Sequence, residues 1–197
     1  MTAQVSLSQA RADLVRERVL DGAAALLKAR EPLTFSGVAA ASEVAERTIY
    51  RYFPTREALL AGLFAWSNRR IGFDGVLPTD AAGLNALVAR AFPGFDGIEP
   101  VIRELLRAPE GKIARLSDLA RRRATAAALV RHEAPGLSKT QTRQVAAIVQ
   151  ILTTASTWQT LRDYWDMDGE QAADAVTTAV QLILKGAREP GKRATKK

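Results

Sequence analysis

Apolar residues recur at three- and four-residue intervals along almost the whole chain, and strand-like alternation is nearly absent, so the pattern predicts an all-α fold. Val15, Val19, Gly22, Ala23, Leu26 and Leu27 share one face of a helix over about 9–30, which Pro32 prevents from continuing. Thr34 offers an N-cap to a short apolar segment at 35–41; a polar break follows at Ser42-Glu43, and a second short segment runs over 45–53 before Pro54. Both are too short to be stable alone and must pack against something. Thr55 caps a longer helix with Glu57 in its first turn and Leu59, Leu60, Leu63, Phe64 and Trp66 on its apolar side. Beyond Arg70 the stretch 72–78 reads as a connection, and further helices are expected near 79–92, 99–107, 110–132, 138–164 and 168–188. Pro93-Gly94, Pro109 and Pro135-Gly136 punctuate them.

Composition narrows the chemistry. The 197 residues, 47% apolar, suffice for one or two small domains with a real core. The absence of cysteine removes disulfides, thiol nucleophiles, iron–sulfur ligation and cysteine zinc sites, and favours a reducing compartment. A single histidine, His132, removes any site needing two imidazoles on one metal. No cofactor or metal is expected. The formal charge of +7 is concentrated at the end: residues 1–60 carry 8 basic and 7 acidic side chains, 61–184 carry 14 and 13, and 185–197 carry 6 and 1. Lys192, Arg193, Lys196 and Lys197, mixed with Pro190 and Gly191, read as a solvated tail, with an accessory grip on nucleic acid as the alternative. The N-terminus has no basic or apolar leader region, and no run approaches the roughly 18 apolar residues of a membrane span, so a cytoplasmic protein is expected.

Two short helices joined by a tight turn, the second exposing polar residues, form the helix-turn-helix unit whose second helix enters the DNA major groove. Val38, Val44 and Ile49 can meet in an apolar cluster, and Ala39 is small enough to let the helices cross closely. Glu46, Arg47, Thr48 and Arg51 then remain on the outward side. The block Thr48-Ile49-Tyr50-Arg51-Tyr52-Phe53-Pro54-Thr55-Arg56-Glu57-Ala58-Leu59-Leu60 closely resembles the signature of the tetracycline-repressor (TetR) family of bacterial transcriptional regulators. Thr34 and Val38-Ala39 also sit where that family has them, so the motif match covers roughly residues 11–70.

The resemblance implies double-stranded operator DNA as partner and gives the matched residues roles that their chemistry fits. Arg56 opens a helix whose N-terminus already favours a phosphate, and it is expected to anchor one. Tyr50 is implied as a backbone contact through its phenol, the alternative being a ring bridging two helices. Thr34 combines capping with a phosphate hydrogen bond, or caps alone. Arg47 and Thr48 are the expected base readers, since arginine binds guanine bidentately and a threonine methyl packs on a thymine methyl; a solvated surface arginine is the bland alternative. Glu46 either stabilises the helix start or accepts from a cytosine amine. Two departures stand out: Glu43 occupies the turn where the family commonly has glycine, at about 1–2 kcal/mol, and Ala45 replaces the serine or threonine cap, at about 1 kcal/mol. Ser42 is a candidate alternative cap.

The domain reading is a three-helix DNA-binding domain at 1–55, a helical effector-binding and dimerisation domain at 56–188, and the basic tail at 189–197. Apolar stripes Val145-Ile148-Leu152-Ala155 and Ile151-Trp158-Trp165 give the 138–164 helix two neighbours, and Ala173, Val176, Thr177, Val180, Ile183, Leu184 and Ala187 line the last helix. The resemblance implies a homodimer through these last two helices; a monomer burying the same faces is the alternative. It also implies a pocket for an unidentified small effector that relieves repression, with Trp66, Phe92, Phe95, Trp158 and Tyr164 as candidates to line it and Arg103, His132 or Gln159 as polar contacts. An enzyme is the competing class, resting on Asp163, Asp166, Asp168 and Glu170, yet these lie where helices end and begin and read as caps. A helical protein-interaction module, or a regulator without a ligand, is the third.

Overall fold

The computed structural model describes residues 7–73 and 75–189, so most of the expected basic tail lies outside the described residues. Among the described residues the chain forms eleven helices: α1 (Leu7–Lys28), α2 (Phe35–Ser42), α3 (Glu46–Tyr52), α4 (Arg56–Arg70), α5 (Ala81–Gly97), α6 (Glu99–Arg107), α7 (Pro109–Leu116), α8 (Leu119–Glu133), α9 (Lys139–Leu152), α10 (Ala155–Trp165) and α11 (Gly169–Arg188). They divide into two compact units, Met1–Arg70 with Ile98–Ser117, and Ile71–Gly97 with Asp118–Lys197.

The first unit closes around α1. Val19, Leu20 and Ala23 meet Val38, Ile49, Leu59, Leu60 and Leu63 in one cluster, with Val44 and Ala39 packed at its edge, as their spacing suggests. Helix α6 completes it with Val101 and Leu105. This division differs from a boundary at 55: α4 packs on α1 and also on α6 and α7, which return from beyond the connection to join the same unit. Gly22 permits a close crossing of α1 and α2, because a Cβ there would lie 2.6 Å from the Ser42 Cβ and 2.8 Å from its backbone.

In the second unit α5 lies along α11, burying Leu84, Val88, Phe92 and Phe95 on one side and Ala172, Ala173, Val176, Val180 and Leu184 on the other. Gly169 makes the approach possible, since a Cβ would meet the Phe92 carbonyl at 2.5 Å. Three expected boundaries move. Helix α5 continues through Pro93 to Gly97, because the proline's missing donor is outweighed by burial of Phe92 and Phe95 on either side of it. The expected 110–132 helix breaks at Ser117-Asp118, where the serine hydroxyl donates to the Ala114 carbonyl. The expected 138–164 helix breaks at Thr153-Thr154, whose hydroxyls donate to the carbonyls of Val149, Gln150 and Ile151. That break resets the helical register. Trp158 is fully buried while Ile151 and Trp165 are exposed, so the seven-residue stripe through them is not one face.

Candidate nucleic-acid interface

Thr34 caps α2, its Oγ1 accepting from the Gly37 amide at 3.0 Å. Helix α2 ends on Glu43, which adopts the left-handed conformation (φ 54°) that glycine would occupy without strain. What offsets this lies far away in the chain. Arg18, 24 residues upstream of Ser42 on α1, donates from Nε to the Ser42 carbonyl at 2.7 Å and pairs through Nη2 with the Glu43 carboxylate. One guanidinium therefore satisfies an end-of-helix carbonyl and the residue that makes the turn. Arg18→Ala is expected to lower stability by about 1 kcal/mol, discounted for solvent exposure, while Glu43→Gly, which trades the strain against the ion pair and backbone entropy, stays within about 0.5 kcal/mol in urea unfolding. Equal losses in both variants would contradict the assignment.

Helix α3 starts on Ala45, which makes no side-chain cap. Ser42 does not replace it, because its buried hydroxyl donates back to the Val38 carbonyl at 2.6 Å. What anchors so short a helix is Ile49, completely buried, with Thr48 and Ile49 amides donating to the Ala45 carbonyl. Fixing Ile49 inward turns Glu46, Arg47, Tyr50 and Arg51 outward as exposed residues, with Thr48 half-buried between them. Arg47 makes no hydrogen bond or ion pair among the described residues, and Glu46 sits in the first turn, where a carboxylate complements the helix dipole. The Tyr50 ring stacks on Phe35 at 4.3 Å between centroids, 13° from parallel, which fixes its direction while leaving it 44% exposed. Tyr50 thus bridges α2 and α3 and still presents surface to solvent.

Arg56, expected to anchor a phosphate, lies among carboxylates. Thr55 caps α4 by accepting from the Ala58 amide, as expected. The Arg56 guanidinium, however, donates to the Leu33 carbonyl at 2.7 Å and to the carboxylate of Glu104 on α6, with Glu110 at 3.8 Å. Glu104 is only 5% exposed, and Arg107 is its second cationic partner. A buried carboxylate requires such partners, so Arg56, itself 38% exposed, braces α4 against α6.

The residues expected around a ligand divide between the two units. In the first unit, Trp66 is 4% exposed, its indole donates to Asp21 at 2.9 Å, and Arg103 pairs with Glu99 at 2.7 Å along α6. In the second, Phe92, Phe95 and Trp158 form an aromatic cluster with centroids 5.6–5.8 Å apart. Asp96 ties that cluster down by accepting from the Trp158 indole at 2.9 Å, Arg162 at 3.1 Å and the Gly169 amide at 2.6 Å. Gln159 is half-buried on α10, and Tyr164 and His132 are exposed. Of the carboxylates weighed for catalysis, Asp168 caps α11 in a capping box with Gln171, Asp166 closes α10 in a left-handed conformation, and Glu170 stands in the first turn of α11. Among the described residues no helix is long and apolar enough to cross a membrane.

Residues 19–63, from the middle of α1 to the middle of α4, match the model of the family described as bacterial regulatory proteins, tetR family. A comparison with curated proteins found no match.

Proposed function

We propose that this chain, whose residues 19–63 match the model of the bacterial regulatory proteins of the tetR family, is a DNA-binding transcriptional regulator that acts as a homodimeric repressor on a near-palindromic operator and is released by a small molecule. The observation that carries the DNA reading is α3, which buries Ile49 and leaves Glu46, Arg47, Tyr50 and Arg51 to solvent. Arg47 and Thr48 are proposed as base readers, Thr34 and Tyr50 as backbone contacts, and Glu46 as the residue that accepts from a cytosine amine. Dimerisation is supported by large apolar side chains that the second unit leaves exposed: Ile148 and Ile151 on α9, Tyr164 and Trp165 on α10, and Leu182 on α11. A face of this kind is what an isologous interface buries. The effector reading rests on the family resemblance and is assigned to the second unit, near Phe95, Trp158 and Gln159; Trp66 and Arg103 are left out because each is committed within the first unit. No catalytic role is proposed.

The test is selection of bound duplexes from a randomised pool, followed by titration of the winners. Enrichment of a near-palindrome with half-sites about 34–36 Å apart, or a multiple of that, supports the reading, and no enrichment by folded dimer overturns it. Arg47→Ala should relax preference at one base pair by about 1–3 kcal/mol. Ile151→Glu should sediment as a monomer and bind single half-sites only; a dimer that survives this change and Trp165→Glu would place the interface elsewhere.

A further inference from the structure

The inward commitment of Arg56 leaves open which cations meet the DNA backbone beside the recognition helix. At the C-terminal end of α3, Tyr52 is half-buried with two guanidinium groups over its ring: Arg16 of α1 lies 5.0 Å from the centroid and Arg51 of α3 lies 4.9 Å from it. Arg51 also donates to the Tyr52 hydroxyl at 3.3 Å. Arg51 is exposed and has no carboxylate partner among the described residues. Arg16 is 43% exposed and its nearest carboxylate is Asp13, one helical turn away at 2.9 Å and itself 56% exposed. Two like charges drawn to one ring, with one solvated carboxylate beside Arg16, form a locally positive edge. The ring restrains both planar forks while leaving their outer donors to an anion.

We infer that Arg16, Tyr52 and Arg51 form a clamp for a DNA phosphodiester on the groove wall at the end of α3, which makes α1 part of the nucleic-acid surface. The inference rests on the DNA-binding reading. A helix seated in the major groove has sugar-phosphate backbone at both ends. At the α4 start Arg56 is paired with the buried Glu104, whereas at the α3 end Arg51 is exposed and the carboxylate that faces Arg16 is itself solvated. Asp13 is the internal competitor: in the free protein it holds Arg16, and a phosphate takes its place on binding.

The experiment titrates the selected operator and an unrelated duplex by fluorescence anisotropy across about 50 to 300 mM KCl, for wild type, Arg16→Ala, Arg16→Lys and Asp13→Asn, each with its melting temperature recorded. Arg16→Ala should weaken both duplexes by the same factor, about 3- to 10-fold, and flatten the log–log salt slope by about 0.9. Arg16→Lys should keep the slope. Asp13→Asn should tighten both duplexes, because it frees Arg16 and removes a negative charge. A slope unchanged in Arg16→Ala overturns the clamp. So does weakening by Asp13→Asn equal to that of Arg16→Ala, the signature of a pair that only braces α1. Wild-type protein with no salt-dependent binding to either duplex would remove the DNA reading and the clamp together, whereas steep wild-type binding indifferent to Arg16 removes the clamp alone.

Discussion

Arg56→Ala is expected to lower the unfolding free energy by about 2–3 kcal/mol and to leave the salt slope of DNA binding where it was. The loss follows from Glu104, a carboxylate 5% exposed that this change strips of its inward partner. Removing one member of a buried pair typically costs about 3–5 kcal/mol; the figure is smaller here because Arg56 is 38% exposed and Arg107 still reaches the same carboxylate. The Leu33 carbonyl loses its donor as well. Changing both members, Arg56→Met with Glu104→Leu, should recover most of the loss, because no charge is then left buried. Urea unfolding measures the first effect and anisotropy titration against KCl the second. A stable Arg56→Ala variant whose slope falls by about one phosphate would restore the anchor role and refute the brace.

The contrast shows which parts of this protein its sequence discloses. Helical periodicity places nearly every element, because burial of one face is a local property of spacing. Val38, Val44 and Ile49 identify the helix pair for the same reason, and once Ile49 is fixed inward the exposure of Arg47 and Arg51 follows. What the spacing does not carry is pairing across the chain. Arg18 reaches Ser42 and Glu43, and Arg56 reaches Glu104, 48 residues on. Nothing in the neighbourhood of Glu43 signals that a distant arginine relieves the turn, and nothing near Arg56 signals a buried carboxylate. A motif states where an arginine stands, but its direction depends on which charges the fold brings near it. The helix breaks at Ser117-Asp118 and Thr153-Thr154 have a different origin. Their side chains form local bonds to the backbone that compete with the helix, and the apolar periodicity on both sides masks them.

No local pattern distinguishes Arg16 or Tyr52. Each belongs to an ordinary helix, and only folding brings α1 beside the end of α3. One signal was present: tyrosine following arginine at the end of the recognition helix, where a flat ring and a cation can share an edge. The DNA-facing surface then has an uneven electrostatic character. In the proposed reading Thr34 and Tyr50 supply neutral donors near the start of α2 and Arg47 faces the groove, while the cationic density gathers with Arg16 and Arg51. Because residues 1–60 carry a net charge of only +1, discrimination in such a domain depends on where its few unpaired cations stand.

Trp158→Ala should destabilise the second unit by about 3–5 kcal/mol, the range for emptying a fully buried tryptophan site. Trp158 has no exposed surface, packs edge-on against Phe95 at 5.6 Å, and holds Asp96 through its indole N–H. Asp96 would keep Arg162 and the Gly169 amide, so its charge remains compensated and the loss is chiefly packing. Trp158→Phe retains most of the ring contact but leaves Asp96 one donor short, and should cost about 1–3 kcal/mol. The measurement is thermal and urea unfolding of both variants, followed at far-UV wavelengths so that loss of the tryptophan does not remove the signal. If Trp158→Ala changes stability by less than about 1 kcal/mol, the ring is acting as the wall of a space that a ligand fills. The expected large loss would instead make the aromatic cluster part of the framework, with effector recognition depending on residues at its edge such as Gln159, where substitutions alter operator release without unfolding the unit.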